Sequence, residues 1–458
     1  EISLGLVGSE MCIRDRFGGR RGLGITQGRP GHCHPSVPRT VRLRLVAMLQ
    51  QLQRSALRLP RAAASVRGIG RGRVCAANME QAAMRPACVS AASVAAPGFR
   101  ALHLVADSAK PTGKLPDSMT EPFKITLSPE SFHSFQIDLP ELEVEVSRQQ
   151  LVDIYSNMVK MRRMEVAADQ LYKQKYIRGF CHLSIGQEAV AVGMEFAMRP
   201  DDDLITAYRC HTFAVQRGGS IKGVLSELFG RGGGMTMGKG GSMHMYTPTF
   251  YGGNGIVGAQ VPVGTGLAFA QKYKNTGHAT FNLYGDGASN QGQVFESFNM
   301  AKLWGLPCVF VCENNKYGMG TSAERSSMNP QFYTRGDKIP GIQVNAMDAL
   351  SVVRGTQFAR EFTLSQKQPL IMELVTYRYG GHSLSDPGTT YRTREEIQKM
   401  RSSSDPIQGL KTQIIDWGVI SDSELKKVDK AAKEEVDQAV EEAKASPEPD
   451  EKELWTHV

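Results

Sequence analysis

The sequence predicts an α/β fold, a mostly parallel sheet flanked by helices on both faces. Three observations carry that expectation. Residues 279–314 run through a short apolar stretch, a glycine-rich turn, an amphipathic stretch and a second apolar stretch, the pattern of a βαβ unit. From about 148 to 174, Leu151, Ile154, Tyr155, Met158, Ala168, Leu171 and Tyr172 fall mainly on one helical face. "LIMELVTYRY" (370–379) reads as a further strand.

Composition narrows the class. The 458 residues are 41% hydrophobic and 22% charged, the balance of a globular protein. No run approaches the ~18 apolar residues of a membrane-spanning helix. The eight cysteines show neither CxxC pairs nor zinc spacing. Cys308 and Cys312 read as core residues, and a reduced compartment fits better than a disulfide framework. The net charge of +8 is unevenly placed. Residues 1–109 hold sixteen Arg, no Lys and five acids, so they carry +11 and the remainder −3. The basic charge belongs to a leader, and nucleic-acid binding is not inferred.

In chain order, residues 1–47 include "GSEMCIRDR", which reads as translated adapter sequence outside the natural protein. Residues 48–105 read as a disordered organelle transit peptide. Leu49, Leu52, Ala56 and Leu59 recur at helical spacing, Arg54, Arg58 and Arg61 are interleaved, and acids are scarce. Residues 106–147, punctuated by proline, read as an extended N-terminal arm. Ser147 and Gln150 form a capping-box signature for the helix that follows. That helix opens an α/β domain expected over 148–445, with 446–458 a C-terminal tail. "EAVAVGMEFAM" (188–198) reads as a helix and "DLITAY" (203–208) as a strand. Residues 230–266 are crowded with glycine yet hold Met243, His244, Met245, Tyr246 and Phe250. Linkers are polar, so this stretch reads as backbone lying against a ligand. "ATFNLY" (279–284) is a strand, 293–304 a helix and "PCVFVCEN" (307–314) a buried strand. Ser421 with Glu424 opens a charged C-terminal helix.

The chemistry gathers where the two strands of the βαβ unit end. One presents Asp286 within "GDG", the other Asn314 and Asn315 within "CENNKYG". Ligands bind at the carboxyl ends of strands in open α/β sheets. A carboxylate, an amide oxygen and backbone carbonyls suit Mg²⁺, which keeps company with phosphates. Gly285 and Gly287 let backbone approach a diphosphate, toward which the following helix turns its positive end.

Between Gly287 and Asn314 lie 26 residues. "GDG", that spacing, then "NN" resembles the thiamine-diphosphate motif of enzymes that decarboxylate 2-oxo acids. "RGFCHLSIGQEAVAVG" (178–193), "ITAYRCH" (205–211), "GKGGSMHMY" (238–246), "FYGGNGIVGAQVPVG" (250–264), "CENNKYGMGTS" (312–322) and "GHSLSDPGTTYRTREEI" (381–397) extend the match. Over roughly 120–445 the chain resembles the pyruvate dehydrogenase alpha-subunit family. The resemblance implies a thiamine-diphosphate-binding fold, with thiamine diphosphate and Mg²⁺ as cofactors. Asp286, Asn315 and the carbonyl of Tyr317 would ligate the metal, and Gly287 and Ala288 would lie against the diphosphate. Tyr208 and Arg209 would contact its far side. Gly255 and Val257 would face the aminopyrimidine. His382 would support the diphosphate and the loop over the site, and His182 would face pyruvate. Ser383 and Ser322 would be phosphorylated by a regulatory kinase and restored by a phosphatase. Implied partners are a beta subunit, in an α2β2 heterotetramer, and a lipoyl acyltransferase core. The beta subunit would supply the acid that contacts the pyrimidine ring, for which this chain offers no candidate. The implied location is the mitochondrial matrix.

The chain departs from the family at two points. Gly380 stands where members usually carry His, and Thr390 replaces a second regulatory serine. The alternatives are an alpha subunit for branched-chain 2-oxo acids and a non-catalytic scaffold. "GFCHLSIGQEA" and "GHSLSDPG" favour the pyruvate version, and intact Asp286, Asn315 and His382 argue against a scaffold. No P-loop occurs.

Overall fold

Alternation along the central strands builds the molecule. The computed structural model describes residues 109–456, so the readings of 1–108 lie outside the described residues. Phe281 and Leu283, Val309 and Val311, and Leu370, Met372 and Leu374 point into one apolar core. Tyr284, Cys308, Phe310, Cys312 and Ile371 point into another. Successive side chains of a strand face opposite ways, so each face of this sheet has its own covering layer. Helices Arg148–Lys173, Glu188–Ala197 and Ala349–Ser365 supply the first core, and Gln260–Lys274 and Gly292–Trp304 the second. The fold is α/β, with a mostly parallel sheet flanked by helices.

The six strands run in the order Phe132–Phe135, Gly341–Asn345, Leu370–Val375, Cys308–Asn314, Thr280–Gly285, Asp203–Ile205. Five are parallel, and only the edge strand Phe132–Phe135 is antiparallel to its neighbour. Both expected capping boxes form. Gln150 N donates to Ser147 Oγ at 3.2 Å and Ser147 N to Gln150 Oε1 at 2.9 Å. Glu424 N donates to Ser421 Oγ at 3.3 Å and Ser421 N to Glu424 Oε2 at 2.9 Å. Gly305 takes a left-handed φ of 56° and ends the helix before the Cys308 strand.

Several expectations need correction. Residues 106–147 are more than an extended arm. Lys110–Pro111, Pro122–Thr126 and Glu143–Ser147 form a three-stranded antiparallel sheet, because Phe123, Ile125, Val144 and Val146 bury one face. The strand at 203 stops at Ile205 and the strand at 370 stops at Val375, leaving 206–208 and 376–379 as loop. The glycine-rich stretch ends at Ala259, and Gln260–Lys274 is helical. The tail holds a 3₁₀ turn, Glu451–Trp455.

Candidate active site

Two neighbouring strand ends set the geometry. Gly285 pairs in register with Glu313, so Asp286 leaves its strand opposite Asn314. Asp286 is 2% exposed, and its Oδ2 has no hydrogen-bond partner among the described residues. Burial pushes its carboxyl from the usual 3.8 up to about 6, against the pull of Arg378. A side chain built on Gly285 would meet nothing within 4 Å, and one on Gly287 would meet only Gly318 Cα, at 3.3 Å. A buried carboxylate with one free oxygen, beside open glycine backbone, fits a cation with a phosphate on it. Ala288 is buried at the start of a 3₁₀ turn, Ala288–Asn290, that leads to the helix at Gly292.

The second strand end supplies neutral oxygens. Asn315 is buried, and its Nδ2 donates to Gln187 Oε1 at 3.1 Å. That bond turns Oδ1 the other way, where it accepts from Arg378 Nη1 at 3.3 Å. The Tyr317 carbonyl accepts from the same Nη1 at 3.1 Å, and the Tyr317 hydroxyl is tied to Glu396. Arg378 therefore bonds two of the three oxygens that the resemblance assigns to Mg²⁺. Among the described residues no cluster of three or more His, Cys, Asp or Glu could hold a metal. A cation here would depend on the amide and the carbonyl.

The rings of His182, Tyr208 and His382 come together. Ring centroids are 4.5 Å apart for His182–Tyr208 and 5.3 Å for both His182–His382 and Tyr208–His382. Arg209 ties the cluster together by donating to the Leu183 carbonyl and, at 3.0 Å, to the His382 carbonyl. Its guanidinium thus holds backbone as well as any phosphate it could reach. Burial, with Arg209 next in weight, drives His182 down to about 3 and His382 to about 4. Both imidazoles are neutral at neutral pH, and Nδ1 of each is buried without a partner among the described residues. The unfolded chain protonates these histidines near 6.5, while the folded chain resists until about 4 and about 3. Their contribution is fully present above 6.5, and stability is expected to fall as pH drops from there toward 4. Denaturant titrations at stepped pH check this, and His382→Gln should flatten the slope.

The glycines of 230–266 divide into two groups. Glu227 is fully buried and accepts four backbone N–H bonds, from Thr236 and Gly238 at 2.9 Å, Gly240 at 2.7 Å and Gly241 at 2.9 Å. Those amides serve an internal carboxylate, which corrects the expectation of a ligand there. The second group, Gly253 and Gly255, lies in the loop that leads to the helix at Gln260. Gly253 is confined, since a Cβ would lie 2.3 Å from the Met243 carbonyl. Gly255 and Val257 are exposed, and the Val257 carbonyl accepts from Gln291 Nε2 at 2.6 Å, which holds this loop beside the Asp286 turn.

The serines differ in setting. Ser383 is 9% exposed, with Oγ 2.8 Å from Ser385 Oγ, and lines a cavity of about 380 Å³. Ser322 caps the short helix Ala323–Ser326. Thr390 is exposed. Space is open around Gly380, and its carbonyl accepts from Arg392 and Arg378.

Sequence reasoning missed Gln187, Arg378, Asp386 and Glu313. Burial pushes the Glu313 carboxyl up to about 7 against the pull of Arg209. Arg378 had a signal, lying just past the carboxyl end of a parallel strand. Gln187 had none, since 128 residues separate it from Asn315.

A buried acid, an amide and paired neutral histidines at the carboxyl edge of a parallel sheet define a cofactor-using α/β enzyme site. The chain belongs to the dehydrogenase E1 component family, whose profile matches residues 156–452. Its similarity is to alpha subunits. It is 60% identical over 346 residues to the mitochondrial pyruvate dehydrogenase E1 component subunit alpha of Chaetomium thermophilum, covering 75% of this chain and 84% of that protein. The Saccharomyces cerevisiae counterpart is 60% identical over 329 residues, 72% of this chain and 78% of its own. The somatic-form human counterpart is 54% identical over 319 residues, 70% of this chain and 82% of its own.

Proposed function

We propose that this chain is the alpha subunit of a mitochondrial pyruvate dehydrogenase E1 component that uses thiamine diphosphate and Mg²⁺. The observation that carries the reading is the buried Asp286, whose Oδ2 has no partner among the described residues, at the end of the strand next to the one that ends before Asn315 and Tyr317. Asp286, Asn315 and Tyr317 would hold the metal, and Gly287, Ala288, Tyr208 and Arg209 the diphosphate. Gly255 and Val257 would face the aminopyrimidine. When bound, thiamine diphosphate supplies the electron sink for loss of carbon dioxide from a 2-oxo acid. The chain's own part is to position and to shield. Arg209 fixes the His182 and His382 segments against each other, and the two imidazoles stay neutral, each with a buried Nδ1 that has no partner among the described residues.

The same reading includes a beta subunit in an α2β2 assembly, contributing the acid against the pyrimidine ring. It also includes transfer of the two-carbon unit to a lipoyl acyltransferase core, feeding acetyl-CoA formation. A kinase and phosphatase would act at Ser383, with Ser322 a lesser candidate. The leader at 48–105 would direct the chain to the mitochondrial matrix. No helix of the described residues is long and apolar enough to cross a membrane.

Co-expression with a beta subunit tests the proposal. Pyruvate decarboxylation that depends on Mg²⁺ and thiamine diphosphate is expected from the pair and none from this chain alone. Preference for 2-oxoisovalerate over pyruvate, or full turnover by the isolated chain, would overturn it.

A further inference from the structure

We propose that Glu165, His211 and Ser242 form a buried clamp that positions the His182 segment, an inference that rests on the reading that His182 faces substrate. The clamp is built of groups that an apolar core tolerates only when they are bonded. Glu165 sits in the helix Arg148–Lys173 and His211 opens the helix His211–Gln216, and each is 1% exposed. Ser242 is 7% exposed, in the turn after the first glycine loop.

The bonds form a closed line. Glu165 Oε2 lies 3.1 Å from His211 Nδ1. A carboxylate accepts and does not donate, so Nδ1 donates to the acid and the ring plane is fixed. His211 Nε2 then meets Ser242, 2.9 Å from its Oγ and 3.1 Å from its carbonyl. Ser242 Oγ in turn accepts from His182 N at 3.4 Å. The other carboxylate oxygen, Glu165 Oε1, accepts from Ser184 N at 3.2 Å and from Ser184 Oγ at 2.8 Å. Both ends of the line therefore meet one segment, at residues 182 and 184. Arg209 holds the residue between them by donating to the Leu183 carbonyl. His211 follows Tyr208 by three residues, so the same acid anchors the segments of both rings in the 4.5 Å contact between His182 and Tyr208.

Acid, imidazole and hydroxyl in this order are the groups of a hydrolytic triad. Here they are closed from solvent and Ser242 Oγ is engaged by His182 N, so the arrangement orients and does not react. What it orients matters because Nδ1 of His182 has no partner among the described residues. The imidazole is placed by its backbone and by ring contacts with Phe180, Tyr208 and His382. Loss of the acid releases Ser184 and lets the His211 ring turn. A displacement of about 1 Å in a group that meets substrate can cost about a hundredfold in rate.

The test uses the α/β assembly with Mg²⁺ and thiamine diphosphate. Hydrogen exchange of the backbone amides at 181–184 reads the clamp directly, and kcat/KM for pyruvate reads its effect. Glu165→Gln and Ser242→Ala should each speed that exchange and lower kcat/KM about tenfold or more. Ser242→Ala removes one hydroxyl and leaves Glu165 bonded to His211, so it serves where the glutamine variant does not fold. In a His182→Ala background, Glu165→Gln should cost nothing further, because the ring that the clamp positions is gone. Wild-type exchange in both variants would overturn the clamp. Faster exchange with a loss that simply adds to that of His182→Ala would overturn its action through His182. If His182→Ala leaves kcat/KM unchanged, or the wild-type assembly does not turn pyruvate over, the reading of the site fails instead and the exchange alone decides the clamp.

Discussion

Asp286→Asn is expected to abolish Mg²⁺-dependent thiamine diphosphate binding and pyruvate turnover, and to stabilise the cofactor-free protein. The two effects have one cause. Asp286 is buried, one of its oxygens has no partner among the described residues, and burial raises its carboxyl to about 6. At neutral pH the folded chain thus holds a charge that it disfavours. The rise from 3.8 corresponds to about 3 kcal/mol, an upper limit to what the substitution can recover. The sign follows from the raised value. Between 3.8 and about 6 the folded state binds more protons than the unfolded one, so this group's contribution falls as pH rises through that window. Asparagine keeps the shape and removes the charge, and with it the anionic ligand. Thermal denaturation without cofactor and calorimetry with it check the two halves. Wild-type cofactor affinity in the variant would remove Asp286 from the metal site.

Ser383→Glu is expected to cost about a hundredfold or more in turnover while the fold survives. Ser383 is nearly closed from solvent, against Ser385, so a longer side chain must leave that niche. Its loop already holds the Asp386 carboxylate, which three donors pin in place. Those bonds outweigh burial and hold Asp386 below its usual range, so it stays ionised and repels a second negative charge. A phosphate, at roughly −1.5 to −2, would repel more strongly. Steady-state turnover of the α/β assembly, with circular dichroism as the control for folding, checks the effect. Full activity in the glutamate variant would count against control at this serine.

Much of the fold could be read locally. The capping boxes at Ser147 and Ser421 form because their partners lie three residues away. The strands around Cys308 and Thr280 were legible because both faces are covered, which leaves continuous apolar runs. The site was legible where it follows the chain, with Asp286 and Asn314–Asn315 at the ends of those runs. The strand boundaries at Ile205 and Val375 were overrun because the apolar residues beyond them are also buried, in loops. The arm's sheet was missed because its strands are short and separated by irregular turns.

By itself, the sequence determined the βαβ unit, the paired acid and amide at its strand ends, and the family. Only the tertiary structure decided that Glu227 takes four amides of the first glycine loop, that Gln187 orients Asn315 and that Arg378 bonds both Asn315 and the Gly380 carbonyl. The reason is physical. Periodicity and capping act over a few residues, where chain geometry alone brings groups together. A buried charge finds its partners across tens to hundreds of residues, and only the packed sheet sets those distances.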